Sequence, residues 1–223
     1  MTTIYNYDPL TFEYISQNEA RLAPLDMVSL IPANATDIPV INFGVNEVAI
    51  FDKNTQTWSL TPDFRGIVYD TITKQQIIQN DLGSLPSNLT TLVPGQFDSW
   101  DGTNWVEDLN LVKINQKNII KQGFADELKL GYVCPTSGYK MDAYIENIDL
   151  LDSGVRLNEK LSATNMDIRD FNNIIHSNEL VSNVNIMVQE LGINYQTQLA
   201  KKWNLEAQID ASTTKIAIEA IIW

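Results

Sequence analysis

The sequence predicts an α+β protein, with a small antiparallel β-hairpin-rich domain over residues 1–108 followed by a mainly α-helical domain over 109–223 that carries one long helix. Three observations predict it. Up to about Glu107, short runs of β-branched and aromatic residues alternate with turn clusters, the pattern of strands joined by tight turns. From Leu111 onward prolines become scarce and apolar residues recur at helical spacing. Beyond Ser177 a single apolar stripe continues from Val181 to Trp203.

Four turns in the first part share one chemistry. They read Tyr7-Asp8-Pro9-Leu10-Thr11, Phe51-Asp52-Lys53-Asn54-Thr55, Tyr69-Asp70-Thr71-Ile72-Thr73 and Trp100-Asp101-Gly102-Thr103-Asn104, each with an aromatic before an aspartate. An aspartate carboxylate accepts hydrogen bonds from amides two residues on, while the aromatic packs on the sheet face. The expected hairpins set Glu47 to Phe51 against Thr57 to Leu60, Gly66 to Tyr69 against Gln75 to Gln79, and Phe97 to Trp100 against Trp105 and Val106. Unequal spacing of the four turns argues for recurring turn chemistry and against a solenoid repeat. Strands this short need a shared core or a partner's surface. Two segments rich in proline and asparagine, Leu30 to Thr36 and Leu85 to Thr90, are expected to be extended loops, either plain connections or docking segments.

In the second part Ile120, Phe124 and Leu128 recur every fourth residue on a helix that Gly131 closes, and a loop follows from Tyr132 to Tyr139. A second helix is expected from Asp142 to Leu151, ending before Gly154. Ser177 is the expected N-cap of the long helix, with Glu179 in its first turn. Continued through Gly192 to Ala211, that helix spans roughly 50 Å at about 1.5 Å per residue. Val184, Val188, Leu191, Tyr195, Leu199 and Trp203 then form either an oligomerisation or docking seam or the face turned to the domain's own core. Thr213 or Thr214 caps a short last helix bearing Ile216, Ile218, Ile221, Ile222 and Trp223, which is either tucked into the core or covered at an interface.

Composition excludes several classes. A formal charge of −13 repels phosphate backbones and anionic headgroups, so neither nucleic acid nor a membrane surface is an expected partner. Cys134 is the single cysteine, which rules out an intrachain disulfide and a thiolate metal cluster. The N-terminus has no basic segment followed by an apolar run, so no secretory leader is expected, and no stretch approaches the roughly 20 apolar residues of a membrane span. His176 is the sole histidine and follows Asn173-Ile174-Ile175, where a structural role is expected. No zinc or EF-hand spacing and no glycine-rich phosphate loop is present, so no metal, cofactor or catalytic residue is expected.

The succession Tyr7-Asp8-Pro9, Glu13-Tyr14, Leu30 to Thr36, Phe51-Asp52 and Thr57-Trp58 resembles the N-terminal half of bacteriophage tail fibre assembly proteins. Arg65 to Thr71 and Trp100 to Val106 resemble that family's later signatures, in order. The C-terminal half is similar to a separate module of unassigned function that closes phage tail fibre and tail proteins, on Gln122-Gly123-Phe124, Asn173 to His176 and Ala211 to Trp223; Gly154 to Ile168 departs from it. The resemblance implies a non-enzymatic protein that helps a trimeric fibre fold or attach, on the virion tail or in the host cytoplasm during assembly. Its implied partners are the tail fibre or other tail proteins, with homo-oligomerisation through the long helix as a further expectation. The residues expected to touch a partner are Tyr7, Asp8, Phe51, Trp58, Tyr69, Asp70, Trp100, Asp101 and Trp105. The alternative is an adhesin that recognises host surface glycan through Trp100, Trp105 and neighbouring tyrosines.

Overall fold

A computed structural model describes residues 2–223 and divides the chain into two compact units, Met1–Glu107 and Asp108–Trp223. In the first, β1 (Thr3–Tyr7) and β2 (Tyr14–Glu19) form a hairpin, β3 (Arg21–Leu22) pairs with β4 (Ser29–Leu30), β5 (Ala35–Thr36) joins the other side of β1, and β6 (Glu47–Asp52) pairs with β7 (Thr57–Pro62). The chain then forms the hairpin β8 (Gly66–Asp70) and β9 (Gln76–Gln79), adds β10 (Leu89–Thr90) to the other side of β8, and ends on the hairpin β11 (Asp98–Trp100) and β12 (Trp105–Glu107). All these pairings are antiparallel. The three hairpins expected from turn chemistry form in the expected places, with Asp52 opposite Thr57, Tyr69 opposite Gln76 and Trp100 opposite Trp105.

In this unit two features differ from what turn chemistry alone predicts. The proline and asparagine segments are not only loops. In each, the proline carbonyl accepts the amide three residues on, Pro32 from Ala35 and Pro86 from Leu89, and this turn delivers the next two residues to a sheet edge as β5 and β10. The unequal turn spacing also conceals a duplication. The sheet order β2-β1-β5 followed by the hairpin β6-β7 is repeated as β9-β8-β10 followed by β11-β12. Extra chain in the first copy, including the β3-β4 hairpin, breaks the period along the sequence without changing the pairing. The first copy is the better sealed: Tyr7, Ala49, Phe51 and Trp58 form one buried cluster, with Ile4, Ala20 and Ala35 in another.

The second unit is mainly helical. Helix α1 (Leu109–Lys129) starts where the Asp108 carboxylate accepts the Asn110 amide and ends before Gly131, whose φ of 70° lies in the left-handed region. The strands β13 (Tyr132–Val133) and β14 (Lys140–Met141) make a small hairpin across the expected loop, and α2 (Ile145–Lys160) follows. The helix does not end before Gly154, as its local sequence predicts. It continues because Val155 is buried and the apolar spacing set by Ile148 and Leu151 persists, while Gly154 brings the helix close to the Met166 side chain.

A second correction concerns the start of the long helix. Ser177 and Glu179 lie in a strand, because β15 (Asn165–Arg169) and β16 (Ile175–Leu180) pair as a hairpin whose ladder holds these residues. Pairing with β15, in the segment the sequence left undefined, overrides the local cap signal. Helix α3 (Val181–Ala211) therefore begins four residues after Ser177, runs through Gly192, and spans about 46 Å at about 1.5 Å per residue. Thr214 caps α4 (Lys215–Glu219) by accepting the Ala217 amide.

Trp223, four residues beyond the end of α4, and an interior glycine of α1 form one contact. Gly123 faces Trp223, and a Cβ at that position would lie 2.5 Å from Trp223 Cβ. Phe124 packs edge-on against Trp223 with ring centroids 6.0 Å apart, and Gln116 donates to the Ile221 carbonyl. Gly123→Ala is therefore expected to displace Trp223 and to destabilise the helical unit by about 1–3 kcal/mol, read as a lower urea midpoint and an altered indole emission.

Candidate partner-binding surface

Each of the four turns is built by one carboxylate. Asp8 Oδ1 accepts the Leu10 and Thr11 amides at 2.8 and 2.9 Å, and Asp52 Oδ1 those of Asn54 and Thr55 at 2.8 and 3.4 Å. Asp70 Oδ1 accepts Ile72 and Thr73 at 2.9 and 2.7 Å, and Asp101 Oδ1 accepts Thr103 and Asn104 at 2.8 and 2.7 Å. In the first three, the residue four positions after the aspartate takes a positive φ, 59° at Phe12, 56° at Gln56 and 61° at Lys74, and returns its amide to the aspartate carbonyl. The fourth turn is shorter and uses Gly102 at φ 105°. The amides of Thr11, Asn54, Thr73 and Asn104 are the chief reason that all four carboxyls lie below the ordinary aspartate range.

The aromatics divide into two groups. Tyr7 stacks on Phe51 at 5.0 Å, Phe51 packs on Trp58 at 5.0 Å, and the Trp58 indole N–H donates to the Ile38 carbonyl at 3.0 Å. These three rings are buried and form the interior of the first copy, so they support the surface from beneath. In the second copy Trp100 and Trp105 pack edge to face at 5.1 Å, and the Trp105 indole N–H donates to the Leu92 carbonyl at 2.9 Å. Trp100, Trp105 and Tyr69 are half-buried and reach the surface.

Both indoles bond the carbonyl two residues beyond a buried threonine, Thr36 or Thr90, whose hydroxyl accepts the amide of that same carbonyl's residue. Nothing in the spacing marked this correspondence, since the two indoles lie 47 positions apart and the two threonines 54. Leu10 and Ile72 are two further surface residues that turn chemistry alone does not single out. Each is the first residue to cap the carboxylate in its turn, and each is strongly exposed. Arg65 ties the two copies together by bonding both Glu13 oxygens and pairing with Asp63.

In the helical unit the expected seam is turned inward over its first half. Val184 and Leu191 are buried with Met187 in a core shared with Ile148, Val155 and Ile168, and Val188 and Tyr195 pack against that core. Only beyond them does the stripe open, through half-buried Leu199 to exposed Trp203. His176 stacks on Tyr139 at 3.7 Å and bonds Asp170 Oδ2 at 3.1 Å. Burial pushes the Asp170 carboxyl up, but His176 and the Ile174 and Asn172 amides outweigh it and hold the group below its ordinary range. A cleft of about 390 Å³ beside them is lined by Met141, Leu151, Met166 and Ile168 with Asp142 and Asp167. Burial, with the Glu190 carboxylate, pushes the Cys134 thiol up to about 12, which keeps it protonated at neutral pH.

About half of the chain has counterparts in known proteins. The prophage tail fiber assembly protein homolog TfaR of Escherichia coli K12 is 37% identical over 113 residues, 50% of this chain and 58% of that protein. The tail fiber assembly protein of Escherichia phage lambda is 36% identical over 113 residues, 50% of this chain and 57% of the relative. The N-terminal half is similar to tail fibre assembly proteins. The tail fiber assembly protein of Enterobacteria phage T4 is 30% identical over 115 residues, 52% of this chain and 61% of the relative. The chain thus spans less than two thirds of the length of these relatives. No protein-family model and no solved structure matches it.

Two outcomes test the geometry. Trp58→Phe keeps an aromatic side chain but removes the indole N–H that the Ile38 carbonyl accepts and leaves a gap in the buried cluster, and is expected to cost about 1–3 kcal/mol in a urea titration. Trp105→Phe is expected to cost less, because Leu92 is exposed and water replaces the indole. The turn carboxyls set a pH dependence. A carboxyl whose folded pKa is depressed adds stability that is present above its unfolded value of about 4 and is lost as pH falls through the folded pKa. The stability gap between the wild type and Asp70→Asn, measured by urea midpoints, should therefore be wider at pH 7 than at pH 3.

Proposed function

We propose that this chain assists the assembly of a phage tail fibre by holding the fibre protein through non-covalent contacts, without catalysing a reaction on it. The observation that carries this reading is the similarity, over half of the chain, to proteins named for tail fibre assembly. The geometry supports it in two ways. The β-sheets are of two or three strands, and their outer strands β2 and β9 are largely exposed, as suits pairing with a partner's backbone. The N-terminal unit also carries thirteen acidic and four basic side chains, a formal charge of −9, which favours a basic partner surface. On this reading the half-buried Tyr69, Trp100 and Trp105 touch the fibre, while Tyr7, Phe51 and Trp58 shape the support behind it. The helical unit serves as the closing module of the resemblance, docking or oligomerising through the exposed end of the α3 stripe at Trp203. The working location is the virion tail or the host cytoplasm during assembly.

Coexpression with a candidate tail fibre protein tests the proposal. A soluble trimeric fibre that copurifies with the chain, and that is lost when the chain is omitted, is the expected result. A fibre equally soluble and trimeric alone sinks the assembly reading. Glycan binding that vanishes in a folded Trp100→Ala variant would instead favour the adhesin.

A further inference from the structure

The two copies in the N-terminal unit place the same turn at the same position of the same sheet, between β1 and β2 and between β8 and β9. In both, the second residue after the aspartate is a large aliphatic, Leu10 at 85% exposure and Ile72 at 83%. The corresponding residues of the other two turns are the polar Asn54 and Thr103. Folding does not account for an aliphatic at these two positions. The turn needs only the backbone amide of this residue, and the side chain buries almost nothing. The same exposed aliphatic at both equivalent positions points to contact with something outside the unit.

The turn also presents this side chain in a fixed way. Two amide bonds to the carboxylate and a closing left-handed residue, Phe12 or Lys74, hold the backbone on either side, so little conformational freedom is lost on binding. The unit as a whole is acidic, with thirteen acidic side chains against four basic ones. Of the four basic groups in the unit, Arg65 is paired with Glu13 and Asp63, Lys53 lies over the Tyr7 and Phe12 rings, Lys74 donates to the Gln96 carbonyl, and Arg21 lies exposed on β3.

We propose that Leu10 and Ile72 are two equivalent anchors, and that their partner is a symmetric protein oligomer offering one apolar pocket with a basic rim on each subunit. Closed oligomers repeat one surface at each subunit, and a duplicated module in a single chain engages two such repeats at once where the spacing of its copies matches that of the subunits. The second contact then forms within the complex, which raises the affinity by a factor of about 10² to 10⁴ over one contact alone. This rests on the reading above, with the fibre as the oligomer.

The test uses the full chain and the purified trimeric fibre obtained by coexpression with it. Binding to that fibre is measured for the wild type, Leu10→Ser, Ile72→Ser and the double variant, with Asn54→Ser and Thr103→Ser as controls. Each single variant is expected to keep its urea midpoint and to lose at least about 10²-fold in affinity by the same bivalent argument. The double variant is expected to lose detectable binding, the controls to match the wild type, and the wild-type affinity to fall as salt is raised. Two single variants that bind like the wild type, or only one of them weakened, overturn the paired anchors. Salt-insensitive binding overturns the basic rim. A wild-type chain that binds no fibre overturns the assembly reading along with this inference, whereas normal fibre binding by both variants overturns this inference alone.

Discussion

A carboxylate that accepts two successive backbone amides is the constraint on which the N-terminal unit depends. Its strands are two to six residues long, too short to hold a register by ladder bonds alone. The aspartate at each turn supplies the missing restraint by setting the reversal point, and thereby the pairing of every residue on both sides. The cost is a left-handed non-glycine residue in three of the turns, which the closing bond to the aspartate carbonyl offsets. Because the carboxylates stay at the surface, the turns combine a fixed backbone with solvent-facing side chains, the combination a contact surface needs.

Duplication of this arrangement separates two physical tasks. In the first copy the aromatic before each aspartate turns inward, and Tyr7, Phe51 and Trp58 close a dry interior. In the second copy the equivalent rings stay half-buried, with Trp100 packed on Trp105. The indole bond to a carbonyl two residues past a buried threonine is common to both, so the frame is maintained while the degree of sealing differs. The first copy is the more costly one to disturb and the second the more open to a neighbour.

The helical unit follows a different rule, in which one long element gains its stability only where shorter ones cover it. Residues Val181 to Leu191 of α3 are enclosed with α2 and the β15-β16 hairpin, and Ile209 is buried further along. Between them, contacts to α1 and the Trp223 region cover the helix less completely, and Ile193 and Trp203 remain exposed.

Much of the local structure was legible in the residues themselves. The hairpins at Asp52, Asp70 and Asp101, the run of α3 to Ala211 and the Thr214 cap all follow from chemistry within a few positions, namely carboxylate-to-amide reach and helical spacing. Which aromatics face outward was not legible, because Trp58 and Trp105 occupy equivalent hairpins and differ only in what the rest of the chain lays over them. The strand at Ser177, the passage of α2 through Gly154 and the duplication were hidden for the same reason. Each depends on contact between segments distant in sequence, β15 with β16, Gly154 with Met166, and β5 or β10 with the strand it flanks. By itself the sequence determined where the backbone reverses and where it coils; only the tertiary structure decided which side chains those elements bury, since burial is set by the sum of nonlocal contacts.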